Sequence, residues 1–188
     1  MRTLFTLLIC LFTLSLAQAQ VDAKINVGSA ITGGINVAAE FPVGVQTSLS
    51  AGAAYSSLGL LFDDESEYKY RNLRLIPEFR YYFNPRRGHD RFFVGGYGKL
   101  GQLTGINKST DEKVDATRVA LGIMSGHKWV TPGGFNFELN LGVGRSGTFG
   151  GDDNDDEYAA AIGTLTRIDV RFGILIGYRF GGGGSGGE

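Results

Sequence analysis

From Lys24 onward the chain repeats one pattern, with apolar side chains at every second position and small, polar or charged residues between them. A period of two belongs to a β-strand whose two faces meet different surroundings. Eight segments carry it, separated by turn-forming residues. Lys24 to Ile31 sets Ile25, Val27 and Ile31 against Lys24, Asn26 and Gly28; Ile35 to Phe41 sets Ile35, Val37 and Phe41 against Asn36 and Glu40. Val45 to Tyr55 alternates Leu49, Ala51, Ala53 and Tyr55 with Ser48, Ser50 and Gly52. In Asn72 to Phe83, Leu73, Leu75, Phe79, Tyr81 and Phe83 oppose Arg74, Glu78, Arg80 and Tyr82, although Pro77 would ordinarily mark an edge or a bulge.

The remaining four segments run Arg91 to Gln102, Thr117 to Trp129, Phe135 to Val143 and Thr166 to Phe180. In the last, Ile168, Val170, Phe172, Ile174, Ile176, Tyr178 and Phe180 face away from Arg167, Asp169, Arg171 and Arg179. The expected fold is all-β, an eight-stranded antiparallel up-and-down transmembrane β-barrel over residues 20–180. Connections alternate between compact turns at 42–44, 84–90 and 131–134 and longer polar loops at 56–71, 103–115 and 148–163, as in barrels with short periplasmic turns and long outer loops. The connection Thr32 to Gly34 fits that scheme less well, being short where an outer loop belongs.

Charge separates the two faces. Lys24, Glu40, Arg74, Glu78, Arg80, Lys99, Arg118, Lys128, Glu138, Arg167, Asp169, Arg171 and Arg179 all fall opposite the apolar positions. A soluble barrel would turn these charges to water, whereas a membrane barrel would gather both signs inside. The largest rings favour the membrane arrangement. Phe41, Phe83, Trp129, Phe135 and Phe180 stand next to the short turns on the apolar face and Tyr55 at an opposite end, the places of interfacial girdles.

The N-terminus adds a destination. Met1-Arg2-Thr3, an apolar run from Leu4 to Leu16 and the triplet Ala17-Gln18-Ala19 form the charged start, apolar core and small-residue end of a signal peptide over residues 1–19, cleaved after Ala19. The apolar run is too short to cross a bilayer as a helix, which takes about 20 residues. Cleavage removes Cys10, the one cysteine, and with it any disulfide or thiolate metal site. Taking Arg2 from the 18 basic residues leaves 17 against 19 acidic ones, so no basic field for nucleic acid is expected.

Phe172 to Phe180, with alternate apolar residues closing on Tyr178-Arg179-Phe180, resembles the C-terminal insertion signal of bacterial outer-membrane proteins. That resemblance implies export and barrel-assembly machinery as partners and Phe172, Ile174, Ile176, Tyr178 and Phe180 as the segment read. Gly181 to Glu188 follows it as a flexible Gly/Ser-rich tail. The barrel as a whole is similar to the OmpX-like and OmpA-type small outer-membrane barrels, and Pro77-Glu78-Phe79-Arg80-Tyr81-Tyr82-Phe83 resembles a segment recurring in barrels of this kind with no assigned function. The resemblance implies outer-membrane lipid as surroundings and transfers no functional residue.

Candidate chemistry is sparse. Gly96 to Gly101 and Gly142 to Gly147 match G-x-G-x-x-G, but nucleotide binding needs that run between a strand and a helix, and no helix pattern follows either. Asp152, Asp153, Asp155, Asp156 and Glu157 could gather a cation, yet lack the spacing and turn glycine of a calcium loop. Ser125 and His127 share a face, with no carboxylate placed to orient the histidine. No enzyme activity, cofactor or metal is therefore expected. Eight strands leave an interior that side chains fill. The sequence reads as a monomeric barrel with a plugged lumen, serving the envelope or meeting a surface protein through its long loops. The alternatives are a narrow ion or solute channel and a soluble periplasmic binder of a small apolar ligand.

Overall fold

A computed structural model describes residues 20–57, 68–107, 113–149 and 167–181. The leader at 1–19 with Cys10, the acidic run at 152–157 and the tail at 182–188 lie outside the described residues. Eight strands, β1 (Val21–Asn26), β2 (Gly34–Pro42), β3 (Thr47–Ser57), β4 (Tyr68–Tyr82), β5 (Arg91–Asn107), β6 (Lys113–Val130), β7 (Phe135–Phe149) and β8 (Ile168–Phe180), pair in chain order. Every pair is antiparallel, and β8 returns to β1 with Val21 opposite Phe180, closing the barrel.

Alternation decides which side chains face in. Tyr82, Phe93, Tyr97 and Met124 form a buried cluster inside, while Leu49, Phe79, Leu121 and Leu141 stand exposed on the outer surface. Compact turns close one end. Val43 and Gly44 donate their N–H groups to the Thr47 carbonyl, and Thr131 N–H donates to the Phe135 carbonyl, with Gly134 held at φ 86°.

The strands depart from the sequence expectation at their ends and at Pro77, and β3 and β8 begin two residues late, at Thr47 and Ile168. β1 begins at Val21 and ends at Asn26; Val27–Thr32 then winds into a short 3-10 helix of about two turns, which takes Ile31 out of the strand. The Asn26 carboxamide causes the break, because its Oδ1 accepts from Gly28 N–H at 3.1 Å and from Ile174 N–H at 3.1 Å. This helix supplies the outer connection that Thr32 to Gly34 alone was too short to make. β4 to β7 also run several residues further than the apolar alternation does, which shortens the connections before β4 and between β5 and β6 to 58–67 and 108–112. Pro77, finally, makes no edge. It pairs with Ala51 of β3 while the ladder to β5 passes from Leu75–Leu100 to Glu78–Tyr97, so its missing N–H falls in a local gap of an otherwise closed wall.

Candidate functional site

The interior half nearest the compact turns is an ion-pair network. Inward positions of β1, β2, β4, β6, β7 and β8 bring Asp22, Glu40, Glu78 and Glu138 together with Lys24, Arg80, Lys128, Arg171 and Arg179, all buried. Glu40 is its node. It accepts from Lys24 Nζ, from Arg80 at 3.1 Å, Lys128 Nζ at 3.0 Å, Ser48 Oγ at 2.8 Å and the Tyr82 hydroxyl at 2.7 Å. Glu138 takes Lys24 and Arg80, each at 2.8 Å, and Glu78 takes Arg80 and Arg171, each at 2.5 Å. Ionised groups so far from water persist because each finds an opposite partner and most find two or more, offsetting a desolvation cost of several kcal/mol per ion.

At the seam between first and last strands Asp22 accepts from Arg179 Nε at 2.6 Å and from Lys128 Nζ at 2.8 Å. Arg179 in turn donates to the carbonyls of Arg87 and His89 (the latter at 3.1 Å), pinning the 84–90 turn across the mouth of the barrel. His89 is buried there, its Nε2 bonded to the Gly44 carbonyl at 2.8 Å, and burial pushes its imidazole below the ordinary histidine range. Asp90 accepts from the N–H groups of Arg86 and Arg87, which shapes the same turn.

Aromatic rings fill the next layer. Arg80 lies 4.7 Å over Phe93 and Lys128 4.8 Å over Tyr82, so cations from the network rest on ring faces. Tyr97 reaches across to β6 and β7, where a Cβ at Gly122 would stand 2.6 Å from its ring and one at Gly142 2.9 Å. The two G-x-G-x-x-G runs lie wholly within β5 and β7, and of their glycines Gly142 makes room for an inward ring, that of Tyr97.

The opposite end holds a smaller, more open group. Asp169 accepts from Lys99 Nζ and from the Tyr97 hydroxyl, each at 2.7 Å, with Arg118 4.0 Å away. Arg74 and Arg118 face the same hollow of about 30 Å³, bordered also by Asn72 and Gly101. Arg167 is absent from this group. It stands exposed in the turn before β8, one residue short of the strand that would have aimed it inward.

On the outer surface Phe172, Ile176, Tyr178 and Phe180 are exposed and Ile174 half-buried, and Tyr55, Phe83, Trp129 and Phe135 are exposed as well. His127 stacks on Trp129 with ring centroids 4.2 Å apart, and its Nδ1 has no hydrogen-bond partner. Among the described residues no three His, Cys, Asp or Glu side chains converge on a metal position.

The alternation missed Asp22, which reads as a polar residue flanking the leader yet shares the parity of Lys24. Counting back one strand step from Lys24 would have found it. The mouth-closing role of His89 left no signal, because it depends on a turn folding over the barrel end.

Residues 3–161 match the family of proteins of unknown function designated DUF3575. The chain belongs to the DUF3575 family. The matched stretch runs through β7 and stops before β8, so the closing strand with Phe172 and Phe180 lies beyond it. No curated protein and no solved structure matches the chain. Membership in DUF3575 assigns no activity.

Proposed function

We propose that this DUF3575 chain is a monomeric, non-enzymatic barrel of a bacterial outer membrane, OmpX-like in build. It arrives after cleavage of a signal peptide behind Ala19, and the assembly machinery reads it at Phe172 to Phe180. One observation carries the reading: the outer surface is apolar and the interior charged. Ile35, Leu121, Ile123 and Val170 are 68%, 71%, 71% and 68% exposed, while Arg80, Lys128 and Glu138 are 0% exposed. Soluble proteins seldom expose contiguous apolar patches beyond a few hundred Å². A barrel whose belt meets lipid has this polarity as a matter of course.

The filled interior supports a structural or surface-contact role. A soluble binder of an apolar ligand would need a hollow lined with apolar groups, and a channel would need a gap where Arg80, Tyr82, Phe93 and Lys128 pack. Contact with a surface partner falls to the connections at the end away from the compact turns. Fractionation of expressing cells tests the membrane assignment. The chain is expected in the membrane pellet after salt and alkaline carbonate washes, released only by detergent; release by carbonate alone would overturn it.

A further inference from the structure

We propose that the 84–90 turn and the first residue of β5 form a cationic patch that binds the phosphate headgroups of anionic phospholipid, in the leaflet at the compact-turn end. The inference rests on the membrane reading above. Charge is divided unequally between the two ends of the barrel. At the compact-turn end the charges in reach of solvent, among the described residues, are Arg86, Arg87 and Arg91, all basic. The turns at 43–46 and 131–134 carry no charged residue. The other end mixes the signs. Arg71, Arg145 and Arg167 are exposed there, beside connections 58–67 and 150–166 that carry Asp and Glu and no Lys or Arg.

No carboxylate at this end is left to pair with the three. Asp90, the one acid of the turn, is buried and accepts the backbone N–H groups of Arg86 and Arg87. Asp22 and Glu40 are committed inside, to Lys24, Arg80, Lys128 and Arg179. Arg87 Nη1 donates to the Val130 carbonyl at 3.2 Å and Arg91 Nη1 to the Asn84 carbonyl at 3.3 Å. The Arg86 guanidinium meets no acceptor among the described residues. A guanidinium carries five N–H donors in a planar fork, so all three keep donors to spare, in the geometry that suits phosphate oxygens.

Depth selects the partner. Phe83 and Phe92 flank the turn on the outer face with ring centroids 5.6 Å apart, and Tyr81 lies against Phe83 at 5.1 Å. Trp129, exposed on the neighbouring β6, belongs to the same girdle. Rings of this kind mark the edge of the hydrocarbon. Arg91 adjoins Phe92, and Arg86 follows Phe83 by three residues in a turn folded back over the mouth, so the guanidinium groups sit just beyond the rings. The headgroup layer begins there and is about 5–7 Å deep. A wall polymer lying past the headgroups would need a patch that projects from the rim. This turn is instead held down, by His89 to the Gly44 carbonyl, by Arg87 to that of Val130 and by Arg179 of β8.

Trp129 is the one tryptophan of the chain and reports on the lipid beside the patch. The test places the full barrel in phosphatidylcholine vesicles and adds either dibrominated phosphatidylglycerol or dibrominated phosphatidylcholine, whose bromines quench an indole they touch. Phosphatidylglycerol is expected to half-quench Trp129 at about one fifth of the mole fraction that phosphatidylcholine needs, the factor contributed by one arginine near an anionic surface. Molar sodium chloride should bring the two curves together. The double variant Arg86→Gln with Arg91→Gln should do the same, and Arg71→Gln, at the other end, should keep the preference. Equal quenching by the two lipids on the unaltered chain, or a preference that survives in the double variant, would overturn the proposal and leave the membrane reading standing. Retention on peptidoglycan with no lipid preference would give the patch to the wall and overturn it too. Quenching by neither lipid would overturn the membrane reading and the proposal with it. The curves of the unaltered chain decide the matter even where the double variant fails to fold.

Discussion

At Glu40 five donors meet one carboxylate, so Glu40→Ala leaves Lys24, Arg80 and Lys128 short of charge in a place water does not reach. Breaking a buried pair from one side costs about 3–5 kcal/mol, and urea unfolding of the purified barrel should show a loss of that size. Glu138→Ala should cost less, because Lys24 and Arg80 retain Glu40. His89 gives the residue scale its pH dependence. Its folded-state pKa lies below that of the unfolded chain, so between the two values the unfolded chain binds more protons and stability falls as the medium is acidified. The contribution is complete above about pH 6.5 and is lost as pH falls through the folded-state value. His89→Gln should remove this component, measured as the difference between the two proteins' unfolding free energies from pH 5 to pH 8.

The strand is the scale at which glycine matters. Tyr97 of β5 needs the bare backbone of Gly122 on β6, where a Cβ would meet its ring and the Val143 carbonyl, both at 2.6 Å. Gly122→Ala should therefore cost about 1–3 kcal/mol through overpacking. At Gly96 the nearest atom to an added Cβ is 3.8 Å away, so Gly96→Ala should leave the urea midpoint unchanged or slightly raised. Faces were legible from the sequence and strand ends were not. Leu75, Ile123 and Phe172 stand outward as alternation requires. Beyond Gln102, however, the alternation slips, with Leu103 on the opposite parity to Leu100, and beyond Val143 the outward positions fall to Arg145 and Gly147 before Phe149, so β5 and β7 continue where the pattern is broken. β1 failed in the opposite sense. Val27 and Ile31 keep the pattern alive past Asn26, while the Asn26 side chain has already turned the backbone into a 3-10 helix.

The barrel as a whole sets contacts that no local pattern encodes. Lys24 and Glu138 lie 114 residues apart and meet at 2.8 Å only because closure and stagger bring β1 beside β7 across the interior. Thus the charged set could be written down from the sequence, but not its division into a tight network at one end and a looser group around Asp169 at the other. Arg167 shows how narrow the margin is, since its parity suits the interior and its strand begins one residue too late. With the cross-section filled by Arg80, Tyr82, Phe93 and Lys128, the intact protein in a planar bilayer should show no steady conductance steps; reproducible openings would mean that this packing parts.

Closure also brings the first and last strands side by side, with Val21 opposite Phe180 and Asp22 clasped by Arg179. The wall is in effect a ring that happens to be cut between those strands. Its strand order has no privileged beginning, and a peptide joining the two ends could let the cut move to the turn at 131–134 without altering a single interior contact. A chain rearranged in that way would end on β6, at Trp129 and Val130, and would carry Phe172 to Phe180 in its second strand. Being last and being the strand that completes the ring are one property in the natural order, and such a circular permutant would pull them apart.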